Sequence, residues 1–465
     1  MTKFSFPFLI LICISISGFA THAREMLIGS GNGSSIIETA DHNFIFTGAE
    51  NSMVLVAKVD SDGNRIWTNH FGPTTGLTPN NSGASIIRIT ESKYLITGNY
   101  EPGTNSFHNL YAILIDSSGN EIWEHNFGVG NCYGTSAAYD SISNVIYLLG
   151  SANSPNSDIF LVKVDTSGRF LWNKYIDYGY TEYGRKIVLR NEQDIFILGT
   201  GNSLAVTGFN DGLLIETDSS GYTIRVNSYG GYPADNFTDI EMLADGFLIL
   251  GNTVSYGAGL QDGWLLRLNN YLDTVWTKTF GTGISDNLQS FVRTDSNTIW
   301  YCGYSNSLSP NYNDTWILET DTSGNVLYDE HFGNSNSEMT YSIIESESHS
   351  IYAIGESDTS SSSRVYLIRL DSLDILNTLP EISSTDPQPF HLYPNPSNGK
   401  INIQVQSDFQ FVRAELYNST GKIFQVNVCK VSDQLLEINL PDVAGLYVLN
   451  IHDKRKSYQF KICKN

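Results

Sequence analysis

One short phrase recurs along the chain and limits what the chain can fold into. It reads LVAKVDSDGNRIWTNHFG from Leu55 to Gly72 and AILIDSSGNEIWEHNFG from Ala112 to Gly128. It returns as LVKVDTSGRFLWNKY, LIETDSSGYTIRVNSYG, LLRLNNYLDTVWTKTFG, ILETDTSGNVLYDEHFG and a clipped YLIRLDSLDIL. The position of Asp60 comes back at Asp116, Asp165, Asp218, Asn269, Asp321 and Asp371, in steps of 56, 49, 53, 51, 52 and 50 residues. A second marker keeps the same step, an apolar run that closes on Gly48, Gly98, Gly150, Gly199, Gly251, Gly303 and Gly355. Two markers that agree on seven copies at a near-constant period describe a repeated supersecondary unit.

Each unit reads as four strands, in the first copy SIIETA, NFIFTG, MVLVAKV and RIWTNHF. The second is continuously apolar, as a strand covered on both faces is, whereas the others alternate. Between the third and fourth, DSDGN or DSSGN predicts a tight hairpin. There the Asp carboxylate accepts from backbone N–H groups and the Gly takes a positive φ. Four short strands cannot bury both faces alone, so the units must stack, and a ring closes the stack without exposed ends. The expected fold class is all-β, with a seven-bladed β-propeller over residues 24–377. The seventh copy trails off at Leu373 to Asn377, and Arg24 to Gly29 stands ready to supply its outer strand.

The first 23 residues read as an export signal: Lys3, an apolar run from Phe4 to Ile16, and small residues at Gly18, Ala20 and Ala23, with cleavage expected after Ala23 and Ala20 as the other choice. No later stretch is apolar for long enough to span a bilayer as a helix. The formal net charge is −22, and residues 390–465 carry nine Lys+Arg against six Asp+Glu, so the acid excess belongs to the repeats. A surface this acidic repels nucleic acid and anionic membranes. Cys132 and Cys302 lie in distant repeats and are expected unpaired, while Cys429 and Cys463 fall near strands of one small unit and could pair in an oxidising compartment.

After the repeats, a Pro- and Ser-rich stretch at 378–389 reads as a linker, and residues 390–465 form a different module. FHLYPNPSNGKINI, AELYNSTGKIF, LPDVAGLYVLNI and YQFKICKN alternate strand and turn, which predicts a small β-sandwich of the immunoglobulin-like kind. This module resembles the type A C-terminal sorting domain of the type IX (Por) secretion system. The matching residues are Tyr393, Pro394, Asn395, Pro396, Gly399, Leu416, Tyr417, Gly421, Lys422, Gly445, Leu446 and Tyr447. The resemblance implies handling by the type IX machinery and delivery to the exterior or the outer surface of a Gram-negative bacterium. The repeats themselves resemble secreted bacterial propeller repeats loosely related to WD40, Kelch and PQQ-type blades, although the Trp-Asp dipeptide and the Gly-Gly doublet are missing. Such propellers include enzymes, scaffolds and adhesins, so this likeness speaks to architecture.

Three sets of residues are candidates for chemistry. Trp67, Trp123, Trp172 and Trp276 share one repeat position, where rings could bind sugar but where packing between blades is the expected role. Acids recur at Glu182, Asp235, Asp286 and Glu338 before the first strand, and at Asp158, Asp211, Asp262 and Asp314 at the start of the third. Both sets open on one face, where they could bind calcium, a hard cation that takes several oxygens, or instead bond to backbone groups that join neighbouring blades. One position of the innermost strand reads Glu38, Arg88, Tyr139, Leu189, Met242, Arg293 and Glu345 around the ring. It sets Arg293, Glu345, Glu38 and Arg88 in succession, a quartet for an anion, for acid and base roles on a glycoside, or for two salt bridges. HExxH, GxSxG, the P-loop and CxxC are all absent.

The expected function is therefore an exported binding protein for a protein or glycan ligand, with no cofactor expected and calcium the one candidate. A glycan-active hydrolase or lyase, with its site at the channel mouth, is the competing expectation.

Overall fold

The computed structural model describes residues 22–371 except 73–80, 102–107, 129–130, 154–156, 191–193, 203–208, 308–311, 334–335 and 360–361. In the tail it describes 390–393, 399–405, 411–418, 423–424, 428–432, 435–440, 445–453 and 457–464. Ala23–Leu370 form one compact unit, and the chain from Asp371 belongs to another.

The repeats build seven four-stranded antiparallel sheets. Blade 1 runs from the centre outward as Asn32–Glu38, Phe44–Glu50, Met53–Val59 and Arg65–Phe71. The innermost strands of blades 2 to 6 are Ser82–Thr90, Asn131–Asp140, Glu182–Arg190, Asp235–Leu243 and Asp286–Arg293. Blade 7 takes Ser337–Glu345, Ile351–Asp358 and Ser363–Asp371 from the end of the repeats and His22–Ser30 from their start. The expected outer strand of the last blade thus comes from the segment predicted for it. Each innermost strand packs on the next, and that of blade 1 packs on that of blade 7, so the ring is closed.

The second strands are buried through their apolar runs, as those runs predict. The third strands differ from the expected alternation. Met53–Val59 and Asp211–Thr217 are buried almost throughout, because a central strand in a ring has a neighbouring blade on each face. Even Lys58 is buried, its Nζ bonded to Asp41 Oδ2 at 2.7 Å.

The glycine marker has a single physical cause. All seven innermost strands carry a bulge at one place, between Gly33 and Ser35 in blade 1 and between Thr340 and Ser342 in blade 7. The extra residue drives a carbonyl toward the second strand. A Cβ added at Gly48 would meet Asn32 O at 2.0 Å, and one added at Gly355 would meet Met339 O at 1.8 Å. The repeated hairpins form as expected. In blade 1, Asp60 Oδ1 accepts from the amides of Asp62 and Asn64, both at 2.9 Å, and Gly63 has φ 78°.

The tail unit is two four-stranded antiparallel sheets. One holds Phe390–Tyr393, Lys400–Val405, Leu435–Asn439 and Val428–Ser432, and the other Ile423–Phe424, Phe411–Asn418, Gly445–Asp453 and Ser457–Lys464. Ile401, Ile403, Leu436 and Ile438 of the first pack on Leu416, Leu449 and Ile451 of the second, which makes the unit a sandwich. Cys429 and Cys463 lie on strands of different sheets, and their side chains are outside the described residues.

Candidate functional site

Neighbouring blades are tied at one end by a repeated backbone bond. The N–H at the start of an innermost strand donates to the carbonyl just before the third-strand start of the preceding blade. Asp235 N donates to Asn210 O at 2.8 Å, Asp286 N to Gln261 O at 2.7 Å, and Glu338 N to Asn313 O at 2.8 Å. Asn81 N and Cys132 N make the same bond to Ser52 O and His108 O, and Gly31 N makes it to Ser363 O where the ring closes. This bond sets the side chain that follows each carbonyl beside the side chain of the donor.

In blades 3 to 6 that neighbour pair is two acids, and every one of the eight acids predicted from the repeat belongs to such a pair. Asp158, Asp211, Asp262 and Asp314 are 6%, 6%, 1% and 4% exposed, and their partners Glu182, Asp235, Asp286 and Glu338 are 0% to 2% exposed. Many of their oxygens accept backbone N–H groups. Asp262 Oδ2 takes Ala258 N at 2.7 Å and Gly259 N at 2.9 Å, and Asp286 Oδ2 takes Thr282 N at 2.5 Å. Others do not: Asp158 Oδ1, Glu182 Oε1, Asp211 Oδ1 and Asp262 Oδ1 are buried with no hydrogen-bond donor among the described residues. Burial and the neighbouring carboxylates push Glu182 up to about 7, and burial and the adjacent acid likewise raise Asp158 and Asp211. Asp177 joins the first pair, with one oxygen each from Asp158, Asp177 and Glu182 within 4.8 Å of one another.

The tryptophans pack between blades. A Cβ added to the hairpin glycine of the next blade would lie 2.9 Å from the ring of Trp67 at Gly119, of Trp123 at Gly168 and of Trp172 at Gly221. Trp276 departs from this pattern, since Gly324 meets Lys278 instead.

Glu38, Arg88, Arg293 and Glu345 do occupy one register position, each opposite the first residue or two of the second strand. The structure does not join them in a quartet. Arg293 binds Glu241 through Nε at 3.0 Å and Nη2 at 2.8 Å, and Arg88 donates to the backbone carbonyl of Glu38. Glu345 bonds to His349 Nδ1 at 3.1 Å and accepts Asp295 N at 3.1 Å. Glu38 repeats this with His42 Nδ1 at 3.3 Å and Glu347 N at 2.7 Å. A polar cavity of 560 Å³ lies between blades 1 and 2 at this end, lined by Trp67, Tyr94, Lys58 and Asp41 among others.

The sequence reading missed a group of exposed aromatic residues on loops of blades 3 to 6. On the loops beside the acid pairs of blades 3 to 6, Tyr180, Phe209, Tyr232, Tyr256, Leu260 and Tyr312 are 42% to 70% exposed. The loops of blades 4 to 6 interleave. Phe209 meets Tyr232 edge to face at 4.9 Å, Tyr256 Oη donates to Gly230 O at 3.1 Å, and Leu260 N donates to Ile284 O at 3.1 Å. The signal was present as irregular aromatic residues in loops that break the repeat, which a search for recurring positions passes over.

Residues 391–465 match the family described as the secretion system C-terminal sorting domain. The tail is a sorting domain. Of its motif, Tyr393 is 44% exposed, Gly399 has φ 120°, and Gly445 and Tyr447 start the long strand Gly445–Asp453. Pro394, Asn395, Pro396, Gly421 and Lys422 lie outside the described residues. No curated protein matches this chain by sequence. Among solved structures, a catalytically inactive virginiamycin B lyase from Staphylococcus aureus with quinupristin is similar at 10% identity and TM-score 0.51. That match covers 75% of this chain and 99% of the other. The Pan2 WD40 domain of Neurospora crassa is similar at 10% identity and TM-score 0.48, over 74% of this chain and 95% of the other. At such identities the first likeness speaks to the propeller fold alone.

Proposed function

We propose that this is an exported extracellular or surface-attached binding protein that holds a glycan on the aromatic loops at one end of blades 4 to 6. In this reading residues 1–23 are removed as a signal peptide, 24–377 are the binding propeller, 378–389 a linker, and 390–465 the address read by the type IX machinery. The carrying observation is the run of exposed rings Phe209, Tyr232, Tyr256 and Tyr312 on interleaved loops. Rings of this kind stack on the apolar faces of sugars, while Tyr hydroxyls and the loop Ser and Asn side chains supply hydrogen bonds. Large rings left in water at one end of the propeller mark an interaction surface. The carboxylates Glu38 and Glu345 have no part in this reading; each is bonded to a histidine and a backbone amide.

The test is a glycan array probed with the full chain and with Tyr232→Ser/Tyr256→Ser. Retention of a glycan class, weakened at least tenfold by the double substitution, supports the reading. No retained glycan, or equal retention by the variant, overturns it.

A further inference from the structure

We propose that the acid pairs Asp158/Glu182, Asp211/Asp235 and Asp262/Asp286 are calcium sites that staple neighbouring blades together, with Asp314/Glu338 occupying the equivalent place between blades 6 and 7. This goes beyond the reading of the aromatic face, and either can fail alone. The argument begins with an internal control in the ring. Among the described residues the interblade bond brings two side chains together at six interfaces, whatever they are, and at the seventh Asp158 and Glu182 lie together with Asp177. Where the third-strand residue is Asp158, Asp211, Asp262 or Asp314, the facing residue is an acid. Where it is Met53, Asn109 or Arg364, the facing residue is Asn81, Cys132 or Gly31. Acids therefore occur at both positions or at neither.

An acid that only capped backbone groups would have no reason to accompany a second acid. Asn81 does that work without charge, its Oδ1 accepting from Glu101 N at 2.7 Å and its Nδ2 donating to Ser52 O at 2.9 Å. Two carboxylates buried together repel and lose hydration, a cost offset by a cation between them or by a shared proton. Among the described residues no Lys or Arg bonds to Asp158, Glu182, Asp211, Asp235, Asp262 or Asp286. The buried oxygens Asp158 Oδ1, Glu182 Oε1, Asp211 Oδ1 and Asp262 Oδ1 have no donor among those residues either.

Close approach at these sites is reserved by glycine. A Cβ added at Gly230 would lie 2.3 Å from Asp211 Oδ1 and 2.7 Å from Asp235 Oδ2, and one added at Gly281 would lie 2.1 Å from Asp262 Oδ1 and 3.0 Å from Asp286 Oδ2. In blade 3 the residue at the position of these glycines is Asp177, five before Glu182, and its carboxylate joins the cluster. One shared proton can relieve a pair of acids but not three together, whereas a divalent ion suits three. All the side-chain donors are oxygens, which selects a hard ion, and loop carbonyls and water complete the six to eight ligands calcium takes.

The test uses the full chain stripped with chelator, titrated with calcium chloride, and compared with Asp262→Asn/Asp286→Asn and Asp211→Asn. Ion content after dialysis is measured by elemental mass spectrometry, and melting is followed with calcium or chelator present. Calcium at about 1 mM is expected to raise the melting temperature by about 5 °C or more. The double variant should bind one calcium fewer per chain, with a smaller rise. No uptake at that concentration, an unchanged ion count in the double variant, or variants more stable than the parent in calcium and chelator alike would overturn the proposal. The last outcome would identify a proton-sharing pair. If the double variant does not fold, the ion count of Asp211→Asn decides.

Discussion

The amide of Asp286 donates to the carbonyl of Gln261 at 2.7 Å across the boundary between blades 5 and 6, which sets the Asp286 carboxylate beside that of Asp262. The same bond recurs at five other interfaces among the described residues and decides which side chains from different blades can act together there.

Closure rests on the strand His22–Ser30. Its Glu25 carboxylate accepts the Tyr366 hydroxyl at 2.5 Å, and Arg24 bridges to Asp62 of blade 1 at 2.5 Å. A chain that begins at Gly31 should leave Ser363–Asp371 as a bare edge strand. It is expected to melt at a markedly lower temperature and to associate on gel filtration. Unchanged melting would show that the ring does not need this strand.

Trp123 is 9% exposed, rests against Gly168 of the next blade and donates from Nε1 to Thr166 O at 3.1 Å. Trp123→Ala should cost about 3 kcal/mol or more by opening a cavity between blades. Urea unfolding followed by circular dichroism measures this, and a loss under about 1 kcal/mol would place the ring outside the core energetics.

Burial pushes the Cys132 thiol up to about 11 and raises that of Cys302 further. Both are free and fully covered. Native protein at pH 8 is expected to leave both unalkylated by iodoacetamide, and protein in urea to lose both, as read by peptide mass spectrometry.

Acid should weaken the fold through carboxylates that are held ionised. At Asp41, burial alone would raise the pKa, but the bonds from Lys58, Thr39 and Asn43 outweigh it and hold the group well below its usual range. Asn64 and Asn120 do the same for Asp60 and Asp116 in the hairpins. A depressed folded pKa gives stability that is complete above the unfolded value of about 4 and is lost as pH falls toward the folded one. The urea midpoint of the parent should therefore fall from pH 5 to pH 2 more steeply than that of Asp41→Asn. Parallel curves would remove Asp41 from the account.

Removal of residues 391–465 should leave the propeller folded but retained in the periplasm of an expressing host with the type IX machinery. Cell fractionation reads this directly, and export of the shortened chain would show that the matched tail is not its address.

Much of the molecule was legible in one dimension because local rules repeat. The hairpin at Asp60 needs only a carboxylate two and four residues from the amides it binds, and the apolar run before Gly48 needs only two covered faces, so both recur wherever the unit does. Seven units imply seven blades, since one sheet cannot bury its own faces. Repeat position alone could not show what a side chain meets. Arg293 and Glu345 seemed neighbours on the ring, yet Arg293 turns to Glu241 of the preceding blade because the innermost strands place those two within reach. The bulge that forbids a Cβ at Gly48 and the aromatic loops around Tyr232 are equally invisible to periodicity, the first because it lies in backbone geometry and the second because it breaks the repeat. The sequence alone determined the number of blades, the strand order and the sorting-domain character of the tail. Only the tertiary structure decided that Asp262 stands against Asp286, because that pairing is made across an interface by a backbone bond that no side-chain pattern encodes.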